Sequence, residues 1–366
     1  MKKFFLSCLL ILIYINIFSK PVYNVVLIIP LTGNDAAIGN DIKEGLNTFL
    51  KYMDSVGGFN SYDIVFKIID NGSKSINDSI KSYFIKNKDS FIITAGCLYD
   101  EEILYLSDFA EREKIPYIFP INVSFKKNFS KYVFPVIPDV QTGYKFLREY
   151  FRKENLEYSV IYNQDTKENA FTIFENDKLI DVNDPSLVDK IKENTVLFLS
   201  SKDDIISVLK KVKDKTKIFF NHDNINIINK FQEDDEKKLL NNSIFINWVK
   251  PANEPSVEFF IGEYKKNYDK EPNNYNLIGW SIGDIIYETV RRGFEKNMEI
   301  NRDIVVSELE KFGDNGGYDS TLYKVYYSEF ASELSRIGIS GFYFVMFKDS
   351  FLIKNSDFFD YFDIIK

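Results

Sequence analysis

The sequence predicts an α/β protein in two halves, each a doubly wound parallel sheet with helices on both faces. Three observations carry that expectation. Short apolar runs of strand length alternate with amphipathic stretches of helical spacing for most of the chain. The rhythm restarts after Pro138. The 366 residues also exceed what one hydrophobic core commonly serves, so two domains are the prior.

Val25–Ile29 is the first strand run, and Pro30 stops it. A helix is expected over 41–56, where Ile42, Leu46, Phe49, Leu50, Met53 and Val56 recur at helical spacing. Asp41 and Glu44 read as its N-terminal capping pair, and Gly57 stands where a helix stops. Ile64–Ile69 is the next strand, 73–88 the next helix, and Phe91–Thr94 the strand after it. A helix over 100–113 and a strand over 115–119 follow. The second half reads as helix 140–153, strands 158–162 and 195–199, helix 202–213 and strand 217–221. Asp184-Pro185 marks a further helix start within it. Helices are then expected at 255–268, 276–296 and 302–312; 314–318 is a turn, and 322–366 is strand-like and aromatic. Two such halves on short links leave a cleft, a common place for a small ligand.

Composition removes several functions. There are 46 basic against 54 acidic side chains, a formal charge of -8, which argues against a nucleic-acid or polyanion binder. One histidine cannot supply a multi-histidine zinc site, nor two cysteines a four-thiolate one, so only carboxylates remain as candidate metal ligands. No metal or other cofactor is expected. The chain has no Gly-x-Ser-x-Gly elbow, no phosphate loop, no His-Glu-x-x-His and no cysteine–histidine pair in a supporting context. It therefore does not read as an enzyme. Aromatic residues make up 16% of the chain, so a lone exposed ring says little about binding.

Residues 1–19 read as a secretory signal peptide: Lys2 and Lys3, an apolar stretch from Phe4 to Phe18, and Ser19 at the cleavage point. The stretch is short for a membrane span, which takes about 20 apolar residues. An uncleaved N-terminal anchor is the alternative. Cys8 lies too close to Lys3 for a lipoprotein signal. Removing Lys2, Lys3 and Cys8 leaves 44 basic and 54 acidic residues, net -10, and Cys97 as the one cysteine, so no intrachain disulfide can form. The expected product is an exported, soluble, periplasmic protein.

From residue 25 the sequence becomes more specific. Val25-Val26-Leu27-Ile28-Ile29-Pro30-Leu31-Thr32-Gly33 leads into Ala36-Ala37-Ile38-Gly39-Asn40-Asp41-Ile42-Lys43-Glu44-Gly45. Val56-Gly57-Gly58-Phe59-Asn60 and Ile69-Asp70-Asn71 follow. Gly33 lets a loop turn sharply at a strand end, and Gly57-Gly58 ends a helix in the left-handed region. Later come Glu113-Lys114-Ile115-Pro116-Tyr117-Ile118-Phe119-Pro120 and a segment with Phe259, Ile261, Tyr264, Lys265 and Pro272. In this order they resemble type I periplasmic binding proteins of the branched-chain amino-acid (Leu/Ile/Val) type, which serve ABC importers. The resemblance spans most of 22–300. It implies two lobes on a three-crossover hinge, with crossings near 139–143, 248–252 and 328–338. Lobe one would comprise 22–140 and 250–330, and lobe two 141–249 and 331–366. The implied partners are a small-molecule ligand and a membrane permease, the chain itself being a monomer or weak dimer.

In that family the ligand carboxylate rests on a serine and backbone N–H groups at the head of a lobe-one helix. By resemblance Asp100 takes the serine's place, heading Asp100-Glu101-Glu102. Read from the residues alone, Asp100 is an N-cap in an acidic first turn that suits the helix dipole. Such a cap would fill the donors a ligand carboxylate uses and repel it. A family threonine corresponds to Val123, which cannot hydrogen-bond, with Asn122 and Ser124 as polar neighbours able to substitute. The acid that pairs the ligand ammonium corresponds to Asp223, beside His222, which reads as a loop residue. An aromatic–glycine pair is replaced by Lys167-Glu168, leaving Asn163, Gln164 and Asp165 at the strand end. Ile38, Leu98 and Tyr99 correspond to positions around the ligand side chain, although core or rim packing accounts for each equally well.

Asp100 and Asp223, facing a cleft from opposite lobes, would favour a cation. The expected ligand is amino-acid-like or amine-containing and presents no free α-carboxylate in the usual place. Two functions stay open: an importer's solute-binding component, and a binding-protein fold serving as an envelope sensor or scaffold without transport. The loops at 31–41 and Asp223 favour the first; the lost serine, threonine and aromatic–glycine features favour the second.

Overall fold

The computed structural model describes residues 20–360 apart from positions 75, 120–129, 139, 175–178, 213, 222–230, 232, 249, 251–253, 298, 321–323, 332 and 349–350. Strands β1 (Val22–Ile29), β2 (Asp63–Asp70), β3 (Ile93–Gly96), β4 (Tyr117–Phe119) and β5 (Val133–Pro135) form a parallel sheet in the order β2-β1-β3-β4-β5. Val25 of β1 lies opposite Phe66 on one side and Ile93 on the other. From Val25 to Ile29 every side chain is buried, as a strand covered on both faces requires.

The second sheet contains β6 (Tyr158–Tyr162), β7 (Leu179–Asp181), β8 (Asn194–Phe198), β9 (Lys217–Phe220) and β10 (Ile244–Asn247), all parallel. A small sheet follows, of β11 (Tyr318–Asp319), β12 (Lys324–Tyr326) and β13 (Gly338–Ile339). The chain then returns to the second sheet with β14 (Gly341–Lys348) and β15 (Phe351–Lys354), both antiparallel, and β16 (Phe359–Asp360) pairs the start of β14.

Helices α1 (Ala36–Ser55), α2 (Asp78–Asn87) and α3 (Asp100–Glu113) connect the strands of the first sheet. Helices α4 (Val140–Lys153), α5 (Lys167–Phe174), α6 (Leu187–Lys190), α7 (Lys202–Val212) and α8 (Asp234–Leu239) accompany the second. Helices α9 (Pro255–Tyr268), α10 (Asn274–Asn297) and α11 (Arg302–Glu310) come back to the first, where α10 lies along α1. Backbones approach closely there. A Cβ on Gly279 would sit 1.9 Å from the Ile42 carbonyl oxygen, and one on Gly45 would sit 1.8 Å from that of Asn276. Trp280 fills the space beside this contact, meeting Phe49 and Phe260 edge-on at 5.3 and 5.2 Å.

Helix α1 corrects the sequence reading. It starts at Ala36, not Asp41, so Asp41 and Glu44 lie inside it and do not cap it. Both acids instead hold the returning helices. Asp41 accepts from the Asn273 amide at 2.7 Å, and Glu44 accepts from the Tyr264 hydroxyl at 2.6 Å and pairs with Lys270 at 2.9 Å. Burial pushes the Glu44 carboxyl up, but Tyr264 and Lys270 more than offset it and leave the group below its usual range. Gly57 ends α1 region at φ +76, as expected. β5, β7, β10, α5 and α8 were not foreseen from the sequence pattern.

Buried contacts tie the segments between the sheets. Ile339 N–H donates to the Val136 carbonyl at 2.9 Å, and the Tyr327 hydroxyl to Pro135 at 2.7 Å. Arg336 is 0% exposed. Its guanidinium donates to the carbonyls of Lys131, Ser335 and Ser328, pairs with Glu310 at 2.7 Å, and lies 4.4 Å from the Phe134 ring.

Candidate functional site

The C-terminal ends of β1, β2 and β3 carry three polar loops that are bonded to one another. Asp70 closes β2 and accepts from the backbone N–H groups of Leu31 at 2.8 Å, Thr32 at 3.2 Å and Gly72 at 2.8 Å. Its second oxygen accepts from the Thr32 hydroxyl at 2.7 Å. Burial raises the carboxyl, but these four donors outweigh it and hold Asp70 below the usual carboxylate range. Ser73 completes the link, donating to the Thr32 carbonyl at 2.6 Å and accepting from Asp35 N–H at 2.8 Å. The turn needs Gly33 at φ +85, because a Cβ there would sit 2.6 Å from the Gly72 carbonyl oxygen.

The third loop leads into α3. Gly96 and Cys97 both have positive φ, +102 and +73, and redirect the chain at the end of β3. Tyr99 is the residue that caps α3, and its side chain makes no cap hydrogen bond; Asp100 is the first helical residue. The sequence reading of Asp100 as the N-cap is thus shifted by one position. Asp100 is exposed. The Tyr99 hydroxyl donates to the Asp35 carboxylate. Burial first, and then that acid, push its phenol up to about 12. Ile38 and Leu98 are half-buried and pack against the main core.

Glu102, which sequence reasoning did not single out, is fully buried beneath this loop. Its Oε1 accepts from the Asn71 amide at 2.7 Å, linking the β2 loop to α3. Burial pushes its carboxyl up; Asn71, the Leu98 and Tyr99 N–H groups and the Cys97 thiol pull the other way without reversing it. A signal was legible: Glu102, Leu106 and Phe109 fall on one face of α3 at helical spacing, and that face is buried.

In the second sheet, Asn163 follows β6 and is buried. Its amide donates to Asp204 at 2.8 Å and Ser200 at 3.2 Å, while its carbonyl accepts from Thr166 N–H at 3.1 Å and the Thr166 hydroxyl at 2.9 Å. Asn163 therefore fastens the β6 and β8 ends together. Gln164 is exposed and, with Asp165, Lys167, Glu168, Phe171 and Thr172, lines a depression of about 550 Å³. Asn122, Ser124 and Asp223 lie outside the described residues, as does His222. Among the described residues no group of three or more His, Cys, Asp or Glu side chains is placed to hold a metal ion. No described helix is long and apolar enough to cross a membrane.

Two parallel-sheet units, their polar loops at the strand ends and a chain that passes repeatedly between them define the type I periplasmic binding protein fold. Solved structures of that fold match nearly the whole chain. A protein assigned as a branched-chain amino-acid ABC transporter from Rhodospirillum rubrum has a TM-score of 0.71 at 14% identity, covering 92% of this chain and 100% of that one. A branched-chain amino-acid ABC transporter from Thermus thermophilus with bound valine has a TM-score of 0.63 at 14% identity, over 94% and 97% of the two chains. A solute-binding protein of an ABC transporter from Rhodopseudomonas palustris, in complex with 3,4-dihydroxybenzoic acid, has a TM-score of 0.64 at 14% identity, over 93% and 97%. At these identities the likeness carries the fold. Neither a family model nor a curated protein sequence matches the chain.

Proposed function

We propose that this chain is the solute-binding component of an ABC importer. It takes a small amino-acid-like or amine-containing solute between its lobes by hinge closure and delivers it to a membrane permease from the periplasm. The observation that carries this reading is the bonded set of polar loops, 31–35, 70–73 and 97–100, at the strand ends of the first sheet. Such a crevice rim is where open α/β sheets bind ligands. Two of the proteins of like fold noted above have a small ligand bound, valine in one and 3,4-dihydroxybenzoic acid in the other.

In this reading, segments near 139–143, 248–252 and 328–338 act as the hinge, and solute contacts to both lobes favour the closed form. Asp100 and Asp223 would face a cationic group from opposite sides, with Ile38, Leu98, Tyr99, Asn122, Ser124 and Gln164 around it. The chain would carry out no chemical step. Thermal denaturation against a panel of amino acids, amides, amines and short peptides tests the proposal, because a solute that prefers the folded form raises Tm. A stabilising solute should also reduce the radius of gyration in small-angle scattering. A panel in which no solute does either would sink the importer reading.

A further inference from the structure

The small sheet of β11, β12 and β13 stands in the chain between α11 and the return to the second sheet. It is fastened to the first-sheet side at several points. The Tyr327 hydroxyl and Ile339 N–H donate to the carbonyls of Pro135 and Val136, at the end of β5. Arg336 holds the Lys131 carbonyl and the Glu310 carboxylate of α11, and the Tyr318 hydroxyl donates to Asp284 of α10 at 2.9 Å. Gly338, at φ +80, lies so close that a Cβ on it would sit 2.5 Å from both the Pro135 and Val136 carbonyl oxygens. Sliding this segment over β5 would break these bonds together.

Immediately beyond, the same strand joins the second sheet. Ser340 N–H still donates to the Lys324 carbonyl at 2.8 Å, alongside β12. Gly341 already pairs with Asp360 of β16, and the Phe342 ring packs on Phe146 and Trp248 at 5.4 and 5.9 Å. The change of partner falls between Ser340 and Gly341, and Lys324 and Asp360 stand one on each side of it. Their side chains meet, Nζ donating to Oδ2 at 2.6 Å. An exposed ion pair contributes little. Here the Asp360 side chain is only 13% exposed, and the pair sits where a pivot acts on it. A rotation about the joint that opens this edge has to draw Lys324 and Asp360 apart.

We infer that Ser340–Gly341 is the bending point of the third crossing, that segment 324–339 travels with the first lobe, and that the Lys324–Asp360 pair is a latch across the bend. The latch holds the two lobes at their present angle while it is closed. This sets the third bend just past the 328–338 segment. The inference rests on the two-lobe reading above but on no particular solute.

Pulsed electron spin resonance on the full chain without solute tests this. The labels go on cysteines at three exposed positions, A37C, S207C and E329C, two at a time. C8S removes one native thiol, and Cys97 is buried. The distance from position 207 to 329 spans the bend; that from 37 to 329 does not. K324Q and D360N should each shift the first distance by more than about 2 Å and leave the second unchanged. The charge-swapped pair, K324D with D360K, should restore the original distance. A first distance unmoved in either single variant, or a swapped chain that stays displaced, overturns the latch. A second distance that moves with the first overturns the assignment of 324–339 to the first lobe. A chain that no solute stabilises would end the importer reading and leave these distances standing.

Discussion

Arg336→Ala should unsettle the segments between the two sheets. The guanidinium is wholly buried and donates to the Lys131, Ser328 and Ser335 carbonyls and to Glu310. Its removal leaves the Glu310 carboxylate without its cation, and breaking a buried pair from one side costs about 3–5 kcal/mol. The lost donors to backbone carbonyls add roughly 1 kcal/mol or more, and the stacking on Phe134 a further ~1 kcal/mol, with overlap between these terms. An overall loss of about 4–5 kcal/mol is expected. With an unfolding entropy near 0.7 kcal/mol/K for a chain of this length, Tm falls by roughly 6 °C. Arg336→Lys keeps the charge and loses the planar fork, so it should fall between the two. Urea denaturation of the three proteins, followed by far-UV circular dichroism, measures this directly. A loss under about 1 kcal/mol for the alanine variant would refute the reasoning, since it would mean those carbonyls and Glu310 find water or other donors at no cost.

Two further predictions follow from packing and charge. Gly279→Ala places a methyl 1.9 Å from the Ile42 carbonyl, which as backbone cannot swing aside, so α1 and α10 must separate at a cost of about 1–3 kcal/mol in a urea titration; an unchanged midpoint would contradict the close approach. Glu288 and Glu308 are raised by burial but held below the usual range by Arg291 with Arg292, and by Lys296 with Lys311. Their depressed folded values mean stability present above the unfolded carboxylate range, about pH 4.3, and lost as pH falls through the lower folded values. The loss should be smaller in Glu308→Gln, as read from urea midpoints between pH 6 and 3.

The parts of the fold legible in the sequence were those whose burial is complete and local. Val25–Ile29 reads as a strand because every side chain on it is covered, and Ile42, Leu46, Phe49 and Met53 mark α1 because they all face the core. What escaped was short or decided by distant partners. β10 is four residues, Ile244–Asn247, and owes its place to β9 and β14 on either side. Asp41 and Glu44 look like a cap because acids precede an apolar run, yet their partners are Asn273, Tyr264 and Lys270, far along the chain. Ala36 and Ala37 carry the true helix start. At the site, Asp100 drew the eye as the acid at the expected position, whereas the buried acid lies two residues on. Three acids in a row look like one solvated turn; Glu102 differs from its neighbours in sharing a face with Leu106 and Phe109 and in its bond from Asn71, supplied by another strand's loop.

The order in which the strands join has a consequence for biogenesis. Helices α9 and α10, which cover the first sheet beside α1, are made only after β6 to β10 of the second sheet. The second sheet in turn receives β14 and β15 from the last stretch of the chain. The first unit therefore waits for α9 and α10, and the second for β14 and β15. Such long-range closure slows folding, so each sheet stays open at one edge or on one face until a distant part of the chain arrives.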